Sequence, residues 1–172
     1  MTQHPDQAIT DLLDKQAISE VLAAYARAMD RIDLDLARSV FHPEGTADYG
    51  EMFTGTGYEF ADYIGAAHPL FEMTDHRIGA VTIALDGDRA GSETYAFVTL
   101  RSRAEDGSRS DMVIHGRYVD RWERRDGTWR ILHRQYLHTF DEVRPVEQTM
   151  FAATGVRDQT DPSYAVLRNP VT

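Results

Sequence analysis

Residues 112–131 read MVIHGRYVDRWERRDGTWRI, two runs of β-branched and aromatic residues interrupted by Arg125-Asp126-Gly127. Asp-Gly between apolar runs is a short-range signal for a β-hairpin, because both central positions of a type I′ turn need a positive φ. The same grammar recurs upstream. Thr74 to Leu85, Ala90 to Arg103, Met112 to Arg124 and Thr128 to Phe140 are strand-like, and Asp86-Gly87-Asp88 and Glu105-Asp106-Gly107 separate the first three. Four long strands joined by tight turns predict an antiparallel meander.

The chain ahead of the meander has a helical period. Ile9, Leu12, Leu13, Ala17, Val21, Leu22, Tyr25 and Met29 recur on one face, which predicts a first helix with Thr10 or Asp11 as early capping residues. Asp33 reads as the N-cap of a second helix carrying Leu34, Ala37, Val40 and Phe41, which His42-Pro43 would end. A short extended piece, Thr46 to Tyr49, leads to the glycine turn Thr54-Gly55-Thr56-Gly57. A third helix is expected from Tyr58 to Ala67, stopped by His68-Pro69. Helices first and a meander second give an α+β fold, a cone-shaped roll with the N-terminal helices packed on a strongly curved antiparallel sheet around a pocket. Expected bounds are a leader at 1–7 containing His4, one domain at 8–142, and a tail at 143–172 that covers the pocket or a subunit contact.

Composition narrows the chemistry. The 172 residues include no cysteine, which removes thiolate nucleophiles and thiolate metal sites. Lys15 is the single lysine, set on a polar helix face, so Schiff-base chemistry is not expected. A formal net charge of −10 argues against nucleic acid and against an anionic membrane surface. The start, MTQHPDQAITDLL, has neither the basic nor the apolar region of a signal peptide, so the expected location is cytoplasmic. His133 and His138 fall on opposite faces of one strand and do not form a metal pair, and no metal or cofactor is expected. Gly55-Thr56-Gly57 lacks the context of a dinucleotide fingerprint. Arg121, Arg124, Arg125 and Arg130 alternate with acids and read as an ion-paired surface. Trp122 and Trp129 are expected to pack across their hairpin or into a subunit contact.

What remains is acid–base chemistry. Asp30 closes the first helix, Tyr25 stands five residues before it, and His76 opens the first long strand. An aspartate holding a histidine is a simple proton acceptor that uses no cofactor. Each residue also has a structural reading: Asp30 as a capping residue, His76 as a strand histidine bonded to backbone, Tyr25 as a core tyrosine with a satisfied hydroxyl. Tyr49, His115 and Arg134 are expected to bind substrate. His115 lies on the same strand face as Val119, read as inward.

The helix ending Tyr25-Ala26-Arg27-Ala28-Met29-Asp30, the run from Asp35 to Pro43 and the hairpin from Gly116 to Ile131 resemble the nuclear transport factor 2-like superfamily in its SnoaL-like branch. The pattern is similar to that of scytalone dehydratase, hexachlorocyclohexane dehydrochlorinase and bile-acid 7α-dehydratase. The resemblance spans roughly residues 8–142. It implies that Asp30 and His76 form a catalytic dyad, with Tyr25 at the spacing of the bile-acid enzyme's tyrosine. A further carboxylate of that enzyme falls near Val98 here, and the dehydrochlorinase lysine has no counterpart. The implied activity is a dehydratase-type lyase acting on a small hydrophobic or aromatic molecule. Alternatives are an isomerase or polyketide-cyclase-like enzyme, or a non-catalytic subunit like the small subunit of ring-hydroxylating dioxygenases. A homodimer or homotrimer is implied.

Overall fold

The computed structural model describes residues 5–168. Helix α1 spans Pro5–Arg31, α2 Leu34–Ser39 and α3 Gly57–Ala67, followed by a 3₁₀ turn at His68–Leu70. The strands are β1 Phe41–Asp48, β2 Thr54–Thr56, β3 Met73–Asp86, β4 Arg89–Arg103, β5 Arg109–Arg125 and β6 Thr128–Pro145, and a short α4 covers Pro162–Arg168. They form one open six-stranded sheet ordered β2-β1-β6-β5-β4-β3. The expected α+β roll is therefore present. Its sheet is antiparallel except where β1 runs parallel to β6.

The turn chemistry holds at atomic level. Asp126 and Gly127 both have positive φ, as do Gly87 and Gly107 in the other two hairpin loops. Asp33 caps α2 by accepting from the Leu36 N–H. Thr56 and Glu59 close a capping box on α3, which satisfies two N–H groups that the helix cannot satisfy itself.

Several boundaries move. Phe41, His42 and Pro43 do not finish α2; they open β1. The register against β6 shifts between Phe41 and Thr46, and such an irregularity tolerates a proline that cannot donate to the ladder. Thr10 lies inside α1, which already runs from Pro5, and bonds back to the Asp6 carbonyl. Residues 5–7 of the expected leader are helical, while His4 lies outside the described residues. At the other end, β6 runs past residue 142 to Pro145. Ile9, Leu12 and Leu13 are more than half exposed, because the first turns of α1 project beyond the core they were expected to line.

The core forms between the buried face of α1 (Ile18, Leu22, Tyr25, Met29), α3 (Phe60, Ala61, Ile64) and the inner face of the sheet, including Ala96, Tyr118, Trp122 and Ile131. Both tryptophans are core residues and not surface contacts. Trp122 Nε1 donates to Ser92 Oγ at 2.8 Å and Trp129 Nε1 to Asp14 at 2.9 Å. Arg124 pairs with Asp14 and Asp88, and Arg125 with Glu44 and Glu123, in keeping with an ion-paired rim. Among the described residues no helix is long and apolar enough to cross a membrane.

Candidate functional site

Asp30 stands in the last turn of α1, and His76 is the fourth residue of β3 with its side chain toward the helix layer. Strand alternation puts Thr74 on the same face as His76, two residues earlier. The Asp30 carboxylate then collects three donors. Asp30 Oδ1 lies 2.7 Å from His76 Nδ1. The backbone N–H of His76 donates to both carboxylate oxygens at 3.1 and 2.9 Å, and Thr74 Oγ1 donates at 3.2 Å. Facing a carboxylate, Nδ1 carries the proton, which leaves Nε2 as the basic nitrogen. The two side chains are 14% and 8% exposed. They line a cleft of about 360 Å³ with Ala26, Arg27, Arg31 and Ile78.

Behind His76 lies a second imidazole. The His68 ring stacks on it at 5.5 Å and its Nδ1 donates to the Met29 carbonyl at 3.1 Å, filling an acceptor that the helix end leaves open. Burial lowers the His68 pKa to about 4, so the ring is neutral at physiological pH and adds no cation beside His76. Nothing in the sequence singled out His68 except its place before Pro69. Thr74 was legible in principle, from the strand period that placed His76.

The other expected residues separate into two places. Tyr25, Tyr49 and Arg134 meet in the interior. The Tyr25 and Tyr49 hydroxyls share a 2.6 Å hydrogen bond, and the Arg134 guanidinium lies 4.2 Å over the Tyr25 ring and 4.1 Å over the Tyr118 ring. Asp120 holds that guanidinium with two bonds, 2.8 Å from Nε and 2.7 Å from Nη2, and neither side chain is exposed. Burial opposes the Arg134 charge, but the Asp120 carboxylate, together with the Tyr49 and Tyr25 oxygens, keeps the pKa well above the ordinary value. Burial, reinforced by the Tyr49 oxygen, pushes the Tyr25 hydroxyl well above 10, and burial raises Tyr49 as well. Both phenols therefore remain protonated at neutral pH. Five residues along a helix is about 140° of rotation, which explains why Tyr25 and Asp30 leave α1 in different directions.

His115 is the correction. It shares a face with Val119 as expected, but that face is the outer one, because Gly116, Tyr118, Asp120 and Trp122 take the buried alternation. Its ring stacks on Phe140 at 4.3 Å and meets Phe97 edge-on at 5.1 Å. It is not brought to either inner cluster. Among the described residues no group of three or more His, Asp or Glu side chains is arranged to hold a metal ion.

The segment after β6 returns to this end of the molecule. Arg157 Nη1 donates to the Phe71 carbonyl at 2.8 Å and Nη2 to Thr74 Oγ1 at 3.2 Å. Asp161 faces Arg31 at 3.5 Å, Ser163 accepts from Arg27 at 2.8 Å, and the Tyr164 hydroxyl donates to Asp33 at 2.7 Å.

Residues 10–135 match the sequence model of the SnoaL-like domain. An uncharacterised protein of Mycobacterium tuberculosis is 24% identical over 139 residues, which cover 79% of this chain and 92% of that one. A candidate scytalone dehydratase from Novosphingobium aromaticivorans superposes with a TM-score of 0.71 at 20% identity, over 85% of this chain and 99% of that one. A type 2 hexachlorocyclohexane dehydrochlorinase gives a TM-score of 0.71 at 17% identity, over 87% and 99%. At these identities the structural likeness concerns the fold.

Proposed function

The chain belongs to the SnoaL-like domain family, and from that premise we propose that it is a lyase of the dehydratase type, acting on a small hydrophobic or aromatic molecule. The observation that carries the reading is the 2.7 Å contact between Asp30 and His76 Nδ1 at the wall of a cleft. His76 Nε2 takes a proton from a substrate carbon. Asp30 fixes the tautomer and stabilises the imidazolium that forms, the role of an orienting carboxylate. The electron pair of the broken C–H bond becomes the new double bond, and the leaving hydroxide takes the proton back from the His76 imidazolium and departs as water, which returns the ring to its neutral form. Tyr25, its hydroxyl protonated and joined to Tyr49, is enclosed in the interior and does not line the cleft, so no role toward the leaving group is assigned to it. Arg134 fixes that pair of phenols from beneath. The names of the two enzyme-like structural neighbours support elimination over other proton transfers.

The test is conversion of candidate aromatic and alicyclic alcohols followed by mass spectrometry, comparing the native protein with His76→Ala. The variant is expected to fold and to lose at least about a hundredfold in turnover. Equal turnover by the two proteins would end the role given to His76.

A further inference from the structure

We propose that the segment after β6 is part of the dyad's machinery, with Arg157 the positioning residue that sets the Thr74 hydroxyl and, through it, the Asp30 carboxylate. The inference rests on the dyad reading above and extends it to a part of the chain with no helical or strand signal. The hydrogen-bond directions carry it. A guanidinium can only donate, so Thr74 Oγ1 must accept from Arg157 Nη2. The hydroxyl's own hydrogen is then free for Asp30 Oδ1, at 3.2 Å. The other arm of Arg157, on the Phe71 carbonyl, ties down the chain just before β3 begins at Met73. One side chain thus fixes both the entry to the strand that bears His76 and the hydroxyl that supports its partner.

The approach of this arginine is itself held. Asp161 accepts from Ser163 and from the Val156 N–H and faces Arg31, while Arg27 lies 4.2 Å over the Tyr164 ring. Arg27 and Arg31 are also lips of the dyad cleft. Arg157 Nε is buried without a hydrogen-bond partner, so the hold of this side chain rests on its two terminal nitrogens. Burial holds its pKa below the ordinary arginine value, and the Asp30 carboxylate offsets only part of that.

The charged and titratable groups near His76 are Asp30, Arg27 and Arg31 from α1, His68 from the 3₁₀ turn and Arg157 from the tail; Val98, its register partner on β4, is neutral. Removing the tail cation favours the imidazolium. The experiment is a proton-NMR pH titration of the His76 ring, its signal assigned by its loss in His76→Ala. In Arg157→Met the midpoint is expected to rise, and in Arg157→Lys to return toward the native value. Asp161→Asn, which loosens the segment while keeping Arg157, is expected to move it the same way as Arg157→Met. Arg157→Gln replaces the methionine variant if that one does not fold. Asp30→Asn separates the two claims, since it should lower the midpoint. An unmoved midpoint in Asp30→Asn sinks the dyad itself. A shift in Asp30→Asn with none in Arg157→Met overturns the role of Arg157 alone.

Discussion

Replacing Asp120 by asparagine leaves the Arg134 cation inside the protein without its counter-charge. Both side chains are completely enclosed, with two bonds of 2.8 and 2.7 Å between them and aromatic rings on the guanidinium. An amide oxygen can replace one bond, but the amide N–H₂ then faces a donor. Breaking a buried pair by removing one partner costs about 3–5 kcal/mol, because the surviving charge stays desolvated. For a chain of this size each kcal/mol moves the melting temperature by about 2–4 °C, so Asp120→Asn is expected to melt roughly 6–20 °C lower. Calorimetry and urea titration followed by circular dichroism would measure it. The double variant Asp120→Leu/Arg134→Met removes both charges and should recover most of the loss, ending within about 1.5 kcal/mol of the native protein. A single variant that costs under about 1 kcal/mol refutes the reasoning. So does a double variant as unstable as the sum of its parts.

Gly57→Ala would push a methyl into the enclosed Phe41 ring; urea unfolding should show a loss of about 1–3 kcal/mol. His68 has a folded pKa of about 4 against about 6.5 unfolded, so the unfolded chain binds the extra proton first. Stability should be level above pH 6.5 on this account and fall by on the order of 3 kcal/mol as pH drops toward 4. His68→Gln should show a shallower decline in urea midpoints over that interval, and an equal slope would dismiss the explanation. His115→Ala, on the outer face, is expected to change turnover by less than about twofold; a loss as large as that of His76→Ala would place the reacting atoms elsewhere.

The meander was legible because Asp-Gly turns and strand alternation are local signals, and each glycine fell where a positive φ was needed. The meeting of Asp30 and His76 was legible for a related reason: one ends a periodic helix and the other opens a periodic strand. Phe41 misled because a buried residue one turn after Ala37 satisfies the helical period equally well, and only pairing with Ile131 of β6 decides for a strand. His115 misled because alternation says which residues share a face and not which face is inside. Gly116 settles that, since the ring of Tyr136 occupies the place a side chain would take there. Arg157 was invisible, as its partners lie 83 and 86 residues away in a stretch with no period to read.

The aspartate's grip has a consequence for remodelling the protein. Two of its three ligands, an amide and a threonine hydroxyl, persist when the imidazole is cut away, so the anion stays moored beside an empty slot. Free imidazole added to His76→Gly has a ready berth there, and a different basic side chain introduced at that position inherits a counter-ion already in place. Under the role proposed for His76, the scaffold exchanges its base without rebuilding the charge that steadies it.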